Sequence, residues 1–154
     1  MIFAVFCVAL AAFNIMFYQN RSSYKDKLFR EDQVFREILT LINNDKNETA
    51  LHLLEENYPP EKFSGSDVIW YIKGRIRFGQ KDYASAKEMF ARAREINPLL
   101  LRSYDFLYYY GLSLSAMGDR QHAAKILETA VLVFPGHQKN MVIKPILAEL
   151  KNGR

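Results

Sequence analysis

The chain has 154 residues, 49% of them apolar and 25% charged, and a formal net charge of +4 at pH 7. That composition excludes bulk disorder and collagen-like repetition, and the charge falls short of the basic footprint of a nucleic-acid binder. The one cysteine, Cys7, leaves neither an internal disulfide nor a cysteine-based zinc site to build.

The first element is apolar. No charged residue precedes Arg21, and residues 2–18 contain Asn14 as their one strongly polar side chain. A helix of about 17 residues spans roughly 25 Å, near the short end of what crosses a bilayer core. Residues 1–20 are therefore expected to form an uncleaved transmembrane anchor, in contact with the membrane through residues 2–18. A cleaved signal peptide is the competing expectation, but no basic residue precedes the apolar stretch. Residues 21–30 read as a juxtamembrane linker. They carry Arg21, Lys25, Lys27 and Arg30, and the positive-inside rule puts the following domain on the cytoplasmic side. An extracytoplasmic or periplasmic domain is the alternative.

Residues 31–150 contain a repeat. Gly74, Asp82, Ala86, Ala93 and Pro98 recur 37 positions later as Gly111, Asp119, Ala123, Ala130 and Pro135, and Tyr71 recurs as Tyr108. These are small residues, a turn residue and a helix-ending proline, the positions where geometry tolerates least. Each unit is predicted as two helices. In the unit 67–98, Ile69, Ile72, Ile76 and Phe78 mark a helix over 68–79. Gln80-Lys81-Asp82 is a turn, and Ala84, Ala86, Met89, Phe90, Ala93 and Ile96 form the apolar stripe of a helix over 84–96. Asn97-Pro98 stops it, because the residue before proline is pushed out of the helical region. The unit 104–135 repeats this with helices over 104–117 and 121–134, a Gly118-Asp119 turn, and a stop at Pro135-Gly136. Gly74 and Gly111 fall mid-helix, where glycine costs about 1 kcal/mol against alanine. Close helix approach, against the small Ala86 and Ala123, is the expected compensation.

A degenerate first unit, residues 31–62, places Val34, Ile38, Leu41, Ala50 and Leu54 at the matching spacing. Its turn is Asn43-Asn44-Asp45 and its end is Tyr58-Pro59-Pro60. Residues 138–151 are predicted as a capping helix with Met141, Val142, Ile146 and Leu150 along its apolar stripe, kinked or split by Lys144-Pro145.

These residues resemble the tetratricopeptide repeat family. Trp70, Gly74, Ala86, Phe90, Ala93 and Pro98 stand at the family's spacing, and Leu107, Gly111, Ala123, Leu127, Ala130 and Pro135 follow in register. The resemblance implies an all-α, right-handed superhelix of about three helix-turn-helix repeats plus the C-terminal capping helix. The 37-residue period exceeds the family's usual 34, which points to about three inserted residues near 99–102. The resemblance also implies that binding occurs in a concave groove lined by the first helix of each unit. Its inward positions would be Phe35, Leu39 and Ile42, then Tyr71, Arg75 and Phe78, then Asp105, Tyr108, Leu112 and Ser115. Family members that clamp a terminal carboxylate do so with Lys and Asn, which are missing at these positions. The groove, apolar and aromatic with one positive and one negative group, is expected to take a helical or extended apolar segment of a protein partner in or at the same membrane. Tyr109 and Tyr110 are expected in the core or on the flank.

Enzymatic signals are absent. His52, His122 and His137 are far apart in sequence, Glu55 and Glu56 point to different helix sides, and Gly74 and Gly79 share one helix without a preceding strand. Arg92 and Arg94 read as a solvated face. No catalysis, cofactor, metal, nucleic acid or small-molecule substrate is expected. The expectation is a membrane-tethered adaptor or scaffold, or a subunit of a membrane complex. The alternatives are an extracytoplasmic envelope-assembly or chaperone-like factor, and a rigid subunit whose groove is filled by its own C-terminal segment.

Overall fold

A computed structural model describes residues 33–152. The expected anchor and linker, residues 1–30, and the last two residues lie outside the described residues. Among the described residues all regular structure is helical, so the fold class is all-α. In chain order the elements are α1 (residues 33–43 as described), α2 (Asn47–Asn57), α3 (Pro60–Phe63), α4 (Asp67–Gly79), α5 (Tyr83–Ile96), a 3-10 turn (Pro98–Arg102), α6 (Tyr104–Ala116), α7 (Arg120–Val133) and α8 (Asn140–Asn152). No helix among the described residues is long and apolar enough to cross a membrane.

Three of the helix reversals are the same backbone device. After α1, α4 and α6 one residue takes a left-handed conformation: Asp45 (φ 58°), Lys81 (φ 63°) and Gly118 (φ 75°). In each case the next amide donates back five residues, Lys46 to the carbonyl of Leu41 at 2.9 Å, Asp82 to that of Arg77 at 2.9 Å, and Asp119 to that of Leu114 at 3.0 Å. The left-handed residue itself donates three residues back, to Ile42, Phe78 and Ser115. This satisfies carbonyls that every helix end leaves open. α2, α5 and α7 each begin two residues after the left-handed one. The same turn is thus present in the first unit as well, where the side chains hardly carry the spacing.

Only the third turn has the residue such a conformation favours. A left-handed L-residue costs about 1–2 kcal/mol, and part of the gain from glycine is lost to its freer unfolded chain. Lys81→Gly is therefore expected to stabilise the fold by about 0.5–1 kcal/mol. The urea midpoint should rise at an unchanged slope; a fall would show that the Lys81 side chain contributes more than its backbone strain costs.

The helix boundaries follow local chemistry. Ser66, Asp82 and Ser103 cap α4, α5 and α6 by accepting from the amides of Ile69, Ser85 and Phe106. The Asp82 carboxyl is held below its usual range by hydrogen bonds from the Ser85 hydroxyl and amide. Asn97 ends α5 and its side chain accepts from Leu99 at 3.0 Å, starting the 3-10 turn that absorbs the extra residues of the longer period.

Consecutive helices pack on each other: α4 on α5, α5 on α6, α6 on α7 and α7 on α8, with α2 against α4. Three core clusters result. Ile38, Ile42, Ala50, Leu54, Ile69, Ile72 and Ile76 form the first. Ala86, Phe90, Ala93, Phe106, Tyr110, Leu114 and Ala123 form the second. Tyr104, Leu107, Leu127, Ala130, Ile143 and Leu147 form the third.

Three expectations are corrected. The close approach at Gly74 and Gly111 is made by large side chains. A Cβ on Gly74 would lie 2.7 Å from the Phe90 ring, and one on Gly111 would run into Leu127. The missing Cβ is the space those side chains fill, and Ala86 and Ala123, on the facing helices α5 and α7, are fully buried. The second correction concerns the capping helix. It begins at Asn140 and continues as one helix through Pro145, so it is not split there. Met141 and Pro145 both stand on its exposed side, so the Met141 carbonyl that proline leaves unpaired has water to bond. Third, Met141 (81% exposed) and Val142 (50%) face solvent, while Ile143 and Leu147 are buried. The rotation is set by Asn140, whose side chain accepts from the Tyr104 hydroxyl at 3.1 Å and donates to the carbonyls of Phe134 at 2.7 Å and Pro135 at 3.2 Å.

Candidate protein-binding groove

α4 packs beside α6, and the end of α1 reaches α4, so the first helices of the three units share a face. A row of polar and aromatic side chains runs across it. Arg75 is its centre. Its Nη2 donates to the side-chain oxygen of Asn43 at 3.1 Å and to the Tyr109 hydroxyl at 3.3 Å. The guanidinium carbon lies 4.6 Å from the centre of the Tyr109 ring, a cation–π contact. Tyr109 meets Phe78 edge-on at 5.3 Å and Tyr108 edge-on at 5.1 Å. At the far end Lys139 donates to the Asp105 carboxylate at 3.1 Å and lies 4.9 Å over Tyr108 and 5.2 Å over Tyr109. Burial pulls the Lys139 ammonium down, but its hydrogen bond to Asp105, with the charge of that carboxylate and the two tyrosines, outweighs that and leaves it raised overall.

The expected groove positions thus divide. Tyr71, Arg75, Phe78, Asp105 and Tyr108 belong to one connected surface. Tyr71 is the most deeply set of them, packed on Phe90 and Phe106 with ring centres 6.0 Å away in each case. Phe35 and Leu39 are half-buried against the first cluster, and Leu112 against the third. Ile42 is 7% exposed and belongs to the core. Ser115 is half-buried.

Burial pushes the Tyr71 hydroxyl up to about 12, and the Arg75 guanidinium offsets only part of that. Ionising it opposes the fold. The stabilising difference is intact below the ordinary value of 10.0 and is lost as pH rises from there to about 12. The expected loss is about 2–3 kcal/mol over that window. Alkaline unfolding of the chain against Tyr71→Phe reads it: the phenylalanine variant should lose less stability through the window, part of the loss remaining because burial also raises Tyr104, Tyr108 and Tyr110, and parallel curves would exclude the shift.

Three members of the row escaped sequence reasoning. Asn43 was assigned to a turn, and it is the last residue of α1. Lys139 lies in the link before α8. Tyr109 was expected in the core or on the flank, and it joins the row through Arg75, Phe78 and Tyr108, although its counterpart one repeat earlier, Ile72, is 1% exposed. That counterpart was the available signal: a tyrosine in such a slot must send its hydroxyl to a partner. The charge balance also changes. Asp105 is answered by Lys139, whereas no carboxylate among the described residues pairs with Arg75.

No family model and no curated protein matches this sequence.

The three histidines and the basic residues Arg92 and Arg94 find local partners. His122 bonds Asp119 at 2.8 Å, His52 lies near Glu56, and His137 stacks on Tyr104. Arg92 pairs with Glu95 at 3.0 Å, and Arg94 lies over Tyr110. Among the described residues no three of His, Cys, Asp and Glu gather as metal ligands.

Proposed function

We propose that this chain is a membrane-tethered protein–protein interaction module, an adaptor or a subunit of a membrane complex. In this reading α1–α2, α4–α5 and α6–α7 are three tetratricopeptide-like units wound into a right-handed superhelix, α8 closes the last unit, and residues 1–20 anchor the whole. The observation that carries it is the threefold recurrence of one left-handed turn at Asp45, Lys81 and Gly118. Repeats joined this way offer a continuous inner face from the first helix of each unit. Tyr71, Arg75, Phe78, Tyr108 and Tyr109 supply that face with the residue types that anchor bound segments. An amphipathic helix or extended apolar segment is the ligand that fits, and the domain carries no catalysis of its own. The positively charged linker favours the cytoplasmic side.

One observation favours a second reading. Lys139, from the chain's own C-terminal segment, already covers Tyr108 and engages Asp105. A chain that fills its own groove would be a rigid subunit held by its anchor and convex face.

A photo-crosslinker at Tyr108 in living cells, with exposed Lys125 on α7 as control, tests both. A specific adduct to another protein from Tyr108 alone supports groove binding, and that protein's compartment gives the orientation. Adducts from Lys125 only, or from Tyr108 to α8 of the same chain, would overturn it in favour of the rigid subunit.

A further inference from the structure

We infer that the groove selects a partner segment carrying one acidic side chain among apolar ones, and that Arg75 receives its carboxylate. The inference rests on the groove reading above and adds the chemistry of the partner.

Arg75 is a half-buried cation served by neutral acceptors. Asn43 and Tyr109 share its Nη2. Its Nε is shut off from solvent and has no hydrogen-bond partner. An unmet buried donor is costly, more so on a charged group. The Tyr71 hydroxyl is a further neutral hydrogen-bond partner of the guanidinium, and the side chain is half-buried, so the row leaves part of it within reach of a ligand. A carboxylate on the guanidinium would exchange neutral acceptors for a charge-assisted one, which is roughly twice as strong. Aromatic rings flank the position, Tyr109 beneath the guanidinium and Phe78 and Tyr71 beside it. They exclude water and strengthen any ion pair formed there.

The neighbouring charges leave this role to Arg75. Asp105 would repel an acidic ligand, but Lys139 holds it in an ion pair at 3.1 Å. The paired end of the groove is therefore neutral and the Arg75 position is positive. An extended or helical segment laid along the row meets aromatic surface at Phe78 and Tyr108, with a single cation between them. This is charge complementarity for one carboxylate, not for an acidic run.

The test is selection of displayed random dodecapeptides on the full chain in detergent micelles. Aspartate or glutamate should be enriched at one position between apolar residues. Against the best such peptide, Arg75→Gln should lower affinity at least tenfold. Replacing the acidic residue of the peptide by its amide should do the same, and the two losses should not add. Should Arg75→Gln fail to fold, the amide peptide and an increase in Kd with salt still decide. Apolar peptides without an acidic preference, or a preference that survives Arg75→Gln, would overturn the inference and leave the groove reading standing. If no peptide is enriched that Tyr108→Ala weakens, the groove reading itself fails.

Discussion

Phe90→Ala is expected to lower stability by about 3–5 kcal/mol, the range for emptying a fully buried aromatic position. The ring fills the space left by the absent Cβ of Gly74, 2.7 Å from where that atom would stand. It also meets Phe106 edge-on at 5.9 Å, with Tyr71 at 6.0 Å and Tyr110 at 6.2 Å. Those rings come from α4 and α6, so the loss loosens both neighbours of α5 together. Domains of this size have about 5–15 kcal/mol in all, and the variant should be close to the edge of folding. Gly74→Ala in the same background places its methyl in the vacated space and should recover about 1 kcal/mol, the helix-propensity difference. In the native background it should be destabilising. Urea unfolding of the four chains forms the cycle, and a Phe90→Ala cost under 1 kcal/mol would refute the packing argument.

Asn140→Leu is the second large effect, and a local one. Asn140 is 3% exposed, and its side chain makes three hydrogen bonds, to the Tyr104 hydroxyl and to the carbonyls of Phe134 and Pro135. Leucine leaves that hydroxyl and those carbonyls without it as a partner, at about 1–3 kcal/mol for each that stays buried and unmet. The expected total of about 3–5 kcal/mol falls on the docking of α8, not on the whole domain. Amide hydrogen exchange should therefore speed up across α8, with α4 and α5 keeping their protection. Exchange accelerated equally everywhere would mean that α8 unfolds only with the rest. The variant also withdraws Lys139 from Asp105 and Tyr108, so it uncovers the far end of the groove.

The parts legible in the sequence were those decided by one residue's own backbone. Asn97-Pro98, the Gln80-Lys81-Asp82 turn and Gly118-Asp119 act within a few positions, and the helix ends fell within two residues of them. The rotation of α8 was not legible, because it depends on a hydrogen bond from Tyr104, 36 positions away. Apolar spacing alone allowed both the stripe of Met141 and Val142 and that of Ile143 and Leu147. The groove was legible as a surface through Tyr71, Arg75, Phe78 and Tyr108. Its charge balance was not, since Asp105 meets Lys139 only through the fold of an intervening hairpin. The occupant of the space beside Gly74 was missed for a related reason. A missing Cβ signals close approach but does not say whether a backbone or a ring comes near.

The three core clusters each draw on neighbours in the chain, and only a few half-buried side chains belong to two. Tyr71 joins the first to the second, while Leu101, Ile126 and Leu150 join the second to the third. Order can then start in any one helix pair and spread outward like a zipper, since little long loop closure stands in its way. The same layout makes the chain tolerant of added length at its seams. The Pro98–Arg102 turn is such a seam, where residues beyond the helix pair are taken up without disturbing the pair on either side. A domain assembled from end to end in this way can bend along its axis, and the face shared by α1, α4 and α6 would bend with it.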